Sequence, residues 1–226
     1  MMTENIAYFD LLPDEDALNE RQGDYVLIDR DISLWWKRNR IGLSRLSARQ
    51  YSAPAEADGV AYETVFRVLA DADPDCRFES LRLTLDFSAT PHVTVRDMIP
   101  AEVLGKEPVK ITSKTVKGLA FELEKFKLGP SVSHEKAIES SVYVPEIRGM
   151  GVGFNKAVWT FEHQPGTLLY AINKDLQLLL SAPAGLTTLP VKGVIRVEIA
   201  RKGWTRMLPL IGHTTTNIPL PEHLIG

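Results

Sequence analysis

Between Ser80 and Ser88 the chain reads Leu81, Arg82, Leu83, Thr84, Leu85, Asp86, Phe87, which sets four large apolar side chains on one face of an extended segment and polar ones on the other. A period of two is that of a half-buried β-strand. The pattern returns in Tyr62, Thr64, Phe66 and Val68, in Ala157, Trp159 and Phe161, and in Val191, Gly193, Ile195, Val197 and Ile199. Leu176 to Leu180 is a nearly continuous apolar run, as expected of a central strand. Turn signals at Asp71-Ala72-Asp73-Pro74-Asp75 and Thr90-Pro91 separate these segments at the spacing of a two-layered sheet protein. The fold class that follows is all-β, an antiparallel β-sandwich.

Other stretches are less regular. Tyr25 to Asp29 and Ile32 to Trp36 read as short strands, and Ile41 to Gln50 as a strand without clean alternation. Asp71 to Asp75 is expected to close a hairpin between its two flanking strands. Leu119, Phe121 and Leu123 alternate as a strand does, but Phe126 and Leu128 fall out of step, so a strand there needs a bulge near Glu124. From Gly203 onward, Pro209, Pro219 and Pro221 predict irregular structure or short edge pieces.

The first residues stand apart. Pro13 followed by Asp14, Glu15 and Asp16 suits the first turn of a short helix, where proline lacks no donor it needs and carboxylates complement the dipole. The domain reading is a short acidic N-terminal arm over residues 1–23, helical or extended, and one β-sandwich domain over 24–226. Residues 1–31 hold nine acids against Arg21 and Arg30, a charge of −7 that leaves +4 for the rest of a chain whose net charge is −3. Residues 32–50 carry Lys37, Arg38, Arg40, Arg45 and Arg49 with no acid, so an acidic opening abuts a basic stretch.

With 44% hydrophobic and 24% charged residues the composition is that of a folded globular chain. Cys76 is the only cysteine, which excludes an internal disulfide and, with no charged-then-apolar leader in the first ten residues, points to a reducing, cytoplasmic setting for a soluble protein. No apolar run reaches the roughly 18 residues of a membrane-spanning helix.

The residues that attract attention as binding groups are Trp35, Trp36, Lys37, Arg38, Arg40, Arg45 and Trp204. Aromatics beside cations suit single-stranded nucleic acid or an anionic membrane surface, because rings stack or insert while charges meet phosphates. They also serve as anchors in protein interfaces. Asp71, Asp73 and Asp75 form an alternating acidic triplet able in principle to collect Ca²⁺. Against an EF-hand loop the match fails, since Cys76 stands where glycine belongs and Arg82 where the closing glutamate belongs. Gly149-Met150-Gly151-Val152-Gly153 begins like a phosphate loop, but a strand pattern follows instead of a helix, so a bulge or close backbone approach is the better reading.

His134-Glu135 opens like a zinc motif, yet Ile138 occupies the second ligand position. No cofactor is called for by any motif. His134, Asp73 and Glu162 are nominal candidates for an active site assembled only in space. The functional expectation is a non-enzymatic protein-interaction module, a subunit or adaptor whose partner is another protein or a second copy. The alternatives are a binder of phosphate-rich surfaces, meaning anionic lipid headgroups or single-stranded nucleic acid, and an enzyme without a linear motif.

Overall fold

The computed structural model of the protein describes residues 6–20, 37–51, 59–105, 109–114, 137–142, 145–162, 169–203 and 207–220. In chain order the first half supplies β1 (Ile6–Tyr8), β2 (Leu12–Pro13), helix α1 (Glu15–Glu20), β3 (Arg40–Tyr51), β4 (Val60–Asp71), β5 (Cys76–Asp86), β6 (Thr94–Ile99) and β7 (Glu102–Leu104). The second half supplies β8 (Val109–Lys114), β9 (Ala137–Val142), β10 (Pro145–Met150), β11 (Lys156–Glu162), β12 (Ala171–Ala182), β13 (Thr188–Arg201) and β14 (Met207–Pro219). The chain divides into two compact units, Met1–Val103 with Pro145–Gly226, and Leu104–Val144. The second unit holds the antiparallel pair β8-β9, an insertion that the two-part reading of arm and sandwich did not contain. The strands expected at 25–29, at 32–36 and over 119–128 lie outside the described residues.

The first unit is an all-β sandwich. One sheet runs β1-β3-β4-β12-β6 and the other β2-β14-β13-β5-β11-β10-β7. Leu81, Leu83, Leu85 and Phe87 are fully buried between them, together with Phe66, Trp159, Leu176, Leu178 and Ile195. Each such side chain contributes about 1.5–3 kcal/mol when removed from water, so the alternation that defines the strands also drives the layers together. Trp159 keeps its polar end satisfied by donating its indole N–H to the Pro100 carbonyl at 3.0 Å.

Two sequence expectations change, and the irregular strand expected over Ile41 to Gln50 finds its cause. Residues 72–75 do not close a hairpin, because β4 belongs to the five-stranded sheet and β5 to the seven-stranded one, and the turn carries the chain between layers. The missing alternation in β3 is a register shift between Arg45 and Ser47, a bulge that moves the rest of the strand across the pleat. The C-terminal segment is a 13-residue strand, paired along its length with β13. Its prolines are tolerated for a geometric reason. The Pro209 carbonyl accepts the Asp14 N–H at 3.0 Å, so the Pro209 nitrogen also faces away from β13 and no ladder bond is lost.

The acidic arm is docked. Ile6, Ala7 and Tyr8 pair with Ser44, Leu43 and Gly42, and Leu12 and Pro13 pair with Ile211 and Leu210. Between the two short strands Phe9 and Leu11 enter the core. Gly212 makes room for them: a methyl group there would meet Phe9 Cβ at 2.9 Å and Leu11 Cδ2 at 3.2 Å, whereas one on Gly193 would meet the Phe9 ring at an ordinary 3.5 Å. Helix α1 then starts where proline and the acids predict it, capped by Asp14, whose Oδ1 accepts the Ala17 N–H at 3.3 Å.

Candidate functional site

The basic stretch does not assemble as one patch among its described members. Lys37 and Arg38 are exposed in the turn before β3, and Arg38 Nη1 stands 3.7 Å from Asp73 Oδ2. Arg40 and Arg45 are both exposed but, five positions apart on one strand ahead of its bulge, they leave opposite faces of the sheet. Trp35, Trp36 and Trp204 lie outside the described residues, as does His134.

The aspartate triplet organises the turn between sheets. The Asp73 side chain, 7% exposed, accepts the Asp75 N–H at 3.0 Å, and the Asp73 N–H donates to Asn39 Oδ1 at 3.0 Å. Asp71 and Asp75 point to solvent. With the middle carboxylate turned inward, the three are not gathered around a common point, and among the described residues no group of three His, Cys, Asp or Glu is placed to hold a metal ion. The contacts described at Asp71, Asp73 and Asp75 are those of an aspartate turn.

Cys76 closes this turn, its N–H donating to the Asp73 carbonyl at 2.7 Å. Burial pushes the thiol above its ordinary value of 9.0, outweighing the hydrogen bond from Asn39 that favours the thiolate. The thiolate is scarce at neutral pH, so native protein at pH 7.5 is expected to resist iodoacetamide for hours, while protein in 6 M guanidinium is labelled within minutes. Comparable labelling in the two states, read by intact mass, would refute the buried position.

The richest constellation lies on the outer face of the seven-stranded sheet. Register places Ile211, Arg196, Arg82, Thr160 and Arg148 side by side on β14, β13, β5, β11 and β10. The neighbouring row is Pro209, Glu198, Ser80 and Glu162. Together with Asp14 and Ala17 at the start of α1, and Met150 at the far side, the residues of these two rows other than Ile211 line a cleft of about 380 Å³. Arg196 Nε donates to Asp14 Oδ2 at 3.1 Å, tying helix to sheet, and Ser80 donates to Glu198 Oε2 at 3.3 Å. Arg82 and Arg148 are exposed and, among the described residues, within ion-pair reach of no carboxylate.

Sequence reading named Glu162 but not the arginines. The signal is present, since each is an outward residue of a clean alternation, but only register brings them together.

Beside this cleft the β10-β11 hairpin ends in an apolar turn. Phe154 is 70% exposed, Val152 52% and Met150 48%. The turn is fixed by backbone bonds on two sides: Gly153 N–H to the Val95 carbonyl, Val95 N–H to the Phe154 carbonyl, both 2.8 Å, and Phe87 N–H to the Asn155 carbonyl at 2.9 Å. The glycine run is thus a close backbone approach, as its sequence suggested. Gly149 stands against the Pro100 carbonyl, and Gly151 and Gly153 have φ of 134° and 86°.

No protein-family model matches the chain, and no curated protein does. Solved structures similar to it include the delta-toxin of Clostridium perfringens, with 10% identity, a TM-score of 0.34, and 80% of this chain and 89% of that one covered. A pore forming protein matches at 9% identity and a TM-score of 0.33, over 95% of this chain and 89% of that one. The major pilin subunit BcpA of Bacillus cereus matches at 11% and 0.29, over 80% of this chain and 41% of that one. Likenesses of this size assign neither a family nor an activity.

Proposed function

We propose that the protein is a non-enzymatic interaction module, a subunit or adaptor that docks another protein on the β10-β11 turn. The observation that carries this reading is the exposed, rigidly held apolar set Met150, Val152 and Phe154. Exposed aromatic and aliphatic side chains fixed by backbone bonds lose little freedom on binding, which is what makes an interface anchor effective. Exposed Arg96 and Arg148 flank the turn, so the fitting partner presents an apolar pocket with an acidic rim.

A second reading, contact with phosphate-rich surfaces, is favoured by the nearby Arg82 and Arg148, which have no carboxylate partner among the described residues. Salt separates the two. Phosphate contacts weaken steeply between 50 and 200 mM salt, by about 10³-fold or more for six or more contacts, whereas an apolar anchor is largely insensitive.

The test is quantitative capture of a partner that parent protein retains at 0.5 M salt and that is identified by mass spectrometry, followed by titration of that purified partner. Phe154→Ser with Val152→Ser is expected to weaken its binding at least 10-fold with an unchanged circular dichroism spectrum. A variant that binds equally well would remove the turn from the interface. Co-sedimentation with anionic vesicles at low salt only would favour the second reading.

A further inference from the structure

We infer that the arginine-lined cleft on the seven-stranded sheet is a binding site for a small sugar carrying an oxyanion, such as a phosphorylated or carboxylated monosaccharide. The site adjoins the docking surface proposed above, sharing Met150 and Arg148 with it, and is tested by variants that lie outside the turn.

The first ground is a charge arrangement that the fold compensates only at Arg196. Arg196 and Arg82 are directly opposite each other on neighbouring strands, and Arg148 follows one strand beyond Thr160 in the same row. Strands are spaced about 4.8 Å apart, and like charges facing each other across them are destabilising. Asp14 offsets Arg196, but Arg82 and Arg148 have no such partner among the described residues. Where a sequence breaks a local rule without structural gain, a functional site is the physical expectation. Two guanidinium groups flanking a threonine hydroxyl give a fork of donors suited to a phosphate or carboxylate.

The second ground is the neighbouring row. Glu198 and Glu162 stand either side of Ser80, one residue pair along the strands from the arginines. These carboxylates accept hydrogen bonds from hydroxyl groups, and Ser80 and Thr160 add short polar side chains between them. A ligand that satisfies both rows presents an anion at one end and hydroxyls about 5–7 Å away, the span of two residues along a strand. A cleft of about 380 Å³ is of monosaccharide scale and lies within the range of small-molecule sites. The Arg196-Asp14 bond fixes the helix at one flank, and Met150 supplies an apolar edge at the other.

The experiment is isothermal titration at constant ionic strength with glucose 6-phosphate, glucuronate, inorganic phosphate and glucose, alongside thermal melts. Glucose 6-phosphate is expected to bind at least ten-fold tighter than glucose and several-fold tighter than inorganic phosphate, and to raise Tm. Arg82→Gln with Arg148→Gln is expected to weaken it ten-fold or more. Glu162→Gln should remove most of its advantage over inorganic phosphate, with phosphate itself binding as well or better once the neighbouring negative charge is gone. Arg82→Gln alone should leave the ligand-free Tm unchanged or raise it, because it relieves the repulsion with Arg196. The inference is overturned by equal binding of glucose and glucose 6-phosphate, by undiminished binding in the double variant, or by a ligand-free Tm that falls in Arg82→Gln. Equal affinity for inorganic phosphate and the sugar phosphate overturns the sugar assignment. Phe154→Ser with Val152→Ser leaves this site intact, so its titrations stand apart from the docking reading.

Discussion

Phe9→Ala is expected to lower the stability of the whole sandwich by about 3–5 kcal/mol, although the residue lies in what the sequence presents as a detachable acidic arm. The side chain is buried, lies over Gly193 with its Cβ in the notch left by Gly212, and belongs to the same apolar cluster as Ile195 and Leu210. Removing it leaves a cavity that the backbone cannot close, because the strands on either side are held by β1 pairing with β3 and β2 pairing with β14. For a chain of this size the loss corresponds to a fall in Tm of about 6–20 °C. Leu12→Ala, three positions along, is the internal control: Leu12 is 55% exposed, and the change should cost below about 0.5 kcal/mol. Urea unfolding of the two variants decides the matter. Equal midpoints would mean that the arm is not part of the folded core in solution.

That contrast also explains what the amino-acid order made legible. The central strands were readable because burial on one face imposes a period of two, and β4, β5, β11 and β13 obey it with few exceptions. The arm was readable as a helix start, through Pro13 and the acids, but not as a strand pair, because Ile6–Tyr8 and Leu12–Pro13 are too short for any period to emerge. Which sheet each strand joins was not readable either. Asp71 to Asp75 carries the same turn residues whether it closes a hairpin or crosses between layers, and the choice is made by the partners of β4 and β5 elsewhere in the chain. Proline at 209 misled for a related reason, since its cost depends on which way its nitrogen faces, and only the Asp14 contact reveals that.

The candidate site was hidden by the same logic. Lys37, Arg38 and Arg40 attract notice because they are contiguous, yet contiguity on an extended chain sends alternate side chains apart, and Asp73 engages one of them. Arg82 and Arg196 are 114 residues apart, and each alone is an ordinary outward residue of an amphipathic strand. Their meeting is a property of register, which two long antiparallel ladders fix and no local window contains. The apolar turn was half visible: its glycines signalled close backbone approach, but the exposure of Val152 and Phe154 follows from Val95 and Phe87 gripping the backbone from outside the hairpin.

The glycine at the root of that turn should be the hardest to replace of the described glycines with a positive φ. Gly151 has a φ of 134°, a region that side chains rarely adopt, and a methyl group there would stand inside contact distance of the Lys156 carbonyl and 3.0 Å from Ala157 Cα. Both obstacles are backbone, and Ala157 lies in β11 with its side chain in the core, so neither can step aside without disturbing the ladder to β5. Gly151→Ala is therefore expected to cost about 2–4 kcal/mol, combining conformational strain with a steric clash. Gly185 separates the two contributions, since its φ is also positive, at 83°, but nothing lies within 4 Å of a methyl group placed on it. Gly185→Ala should cost only about 1–2 kcal/mol, the penalty for the left-handed conformation alone. Urea midpoints for the pair give the difference directly, and equal losses would show that the backbone at Gly151 has room to yield. On the proposed docking reading, a Gly151→Ala protein that still folds at low temperature should also lose any partner that the parent retains at 0.5 M salt, because Val152 and Phe154 keep their chemistry but not their fixed directions.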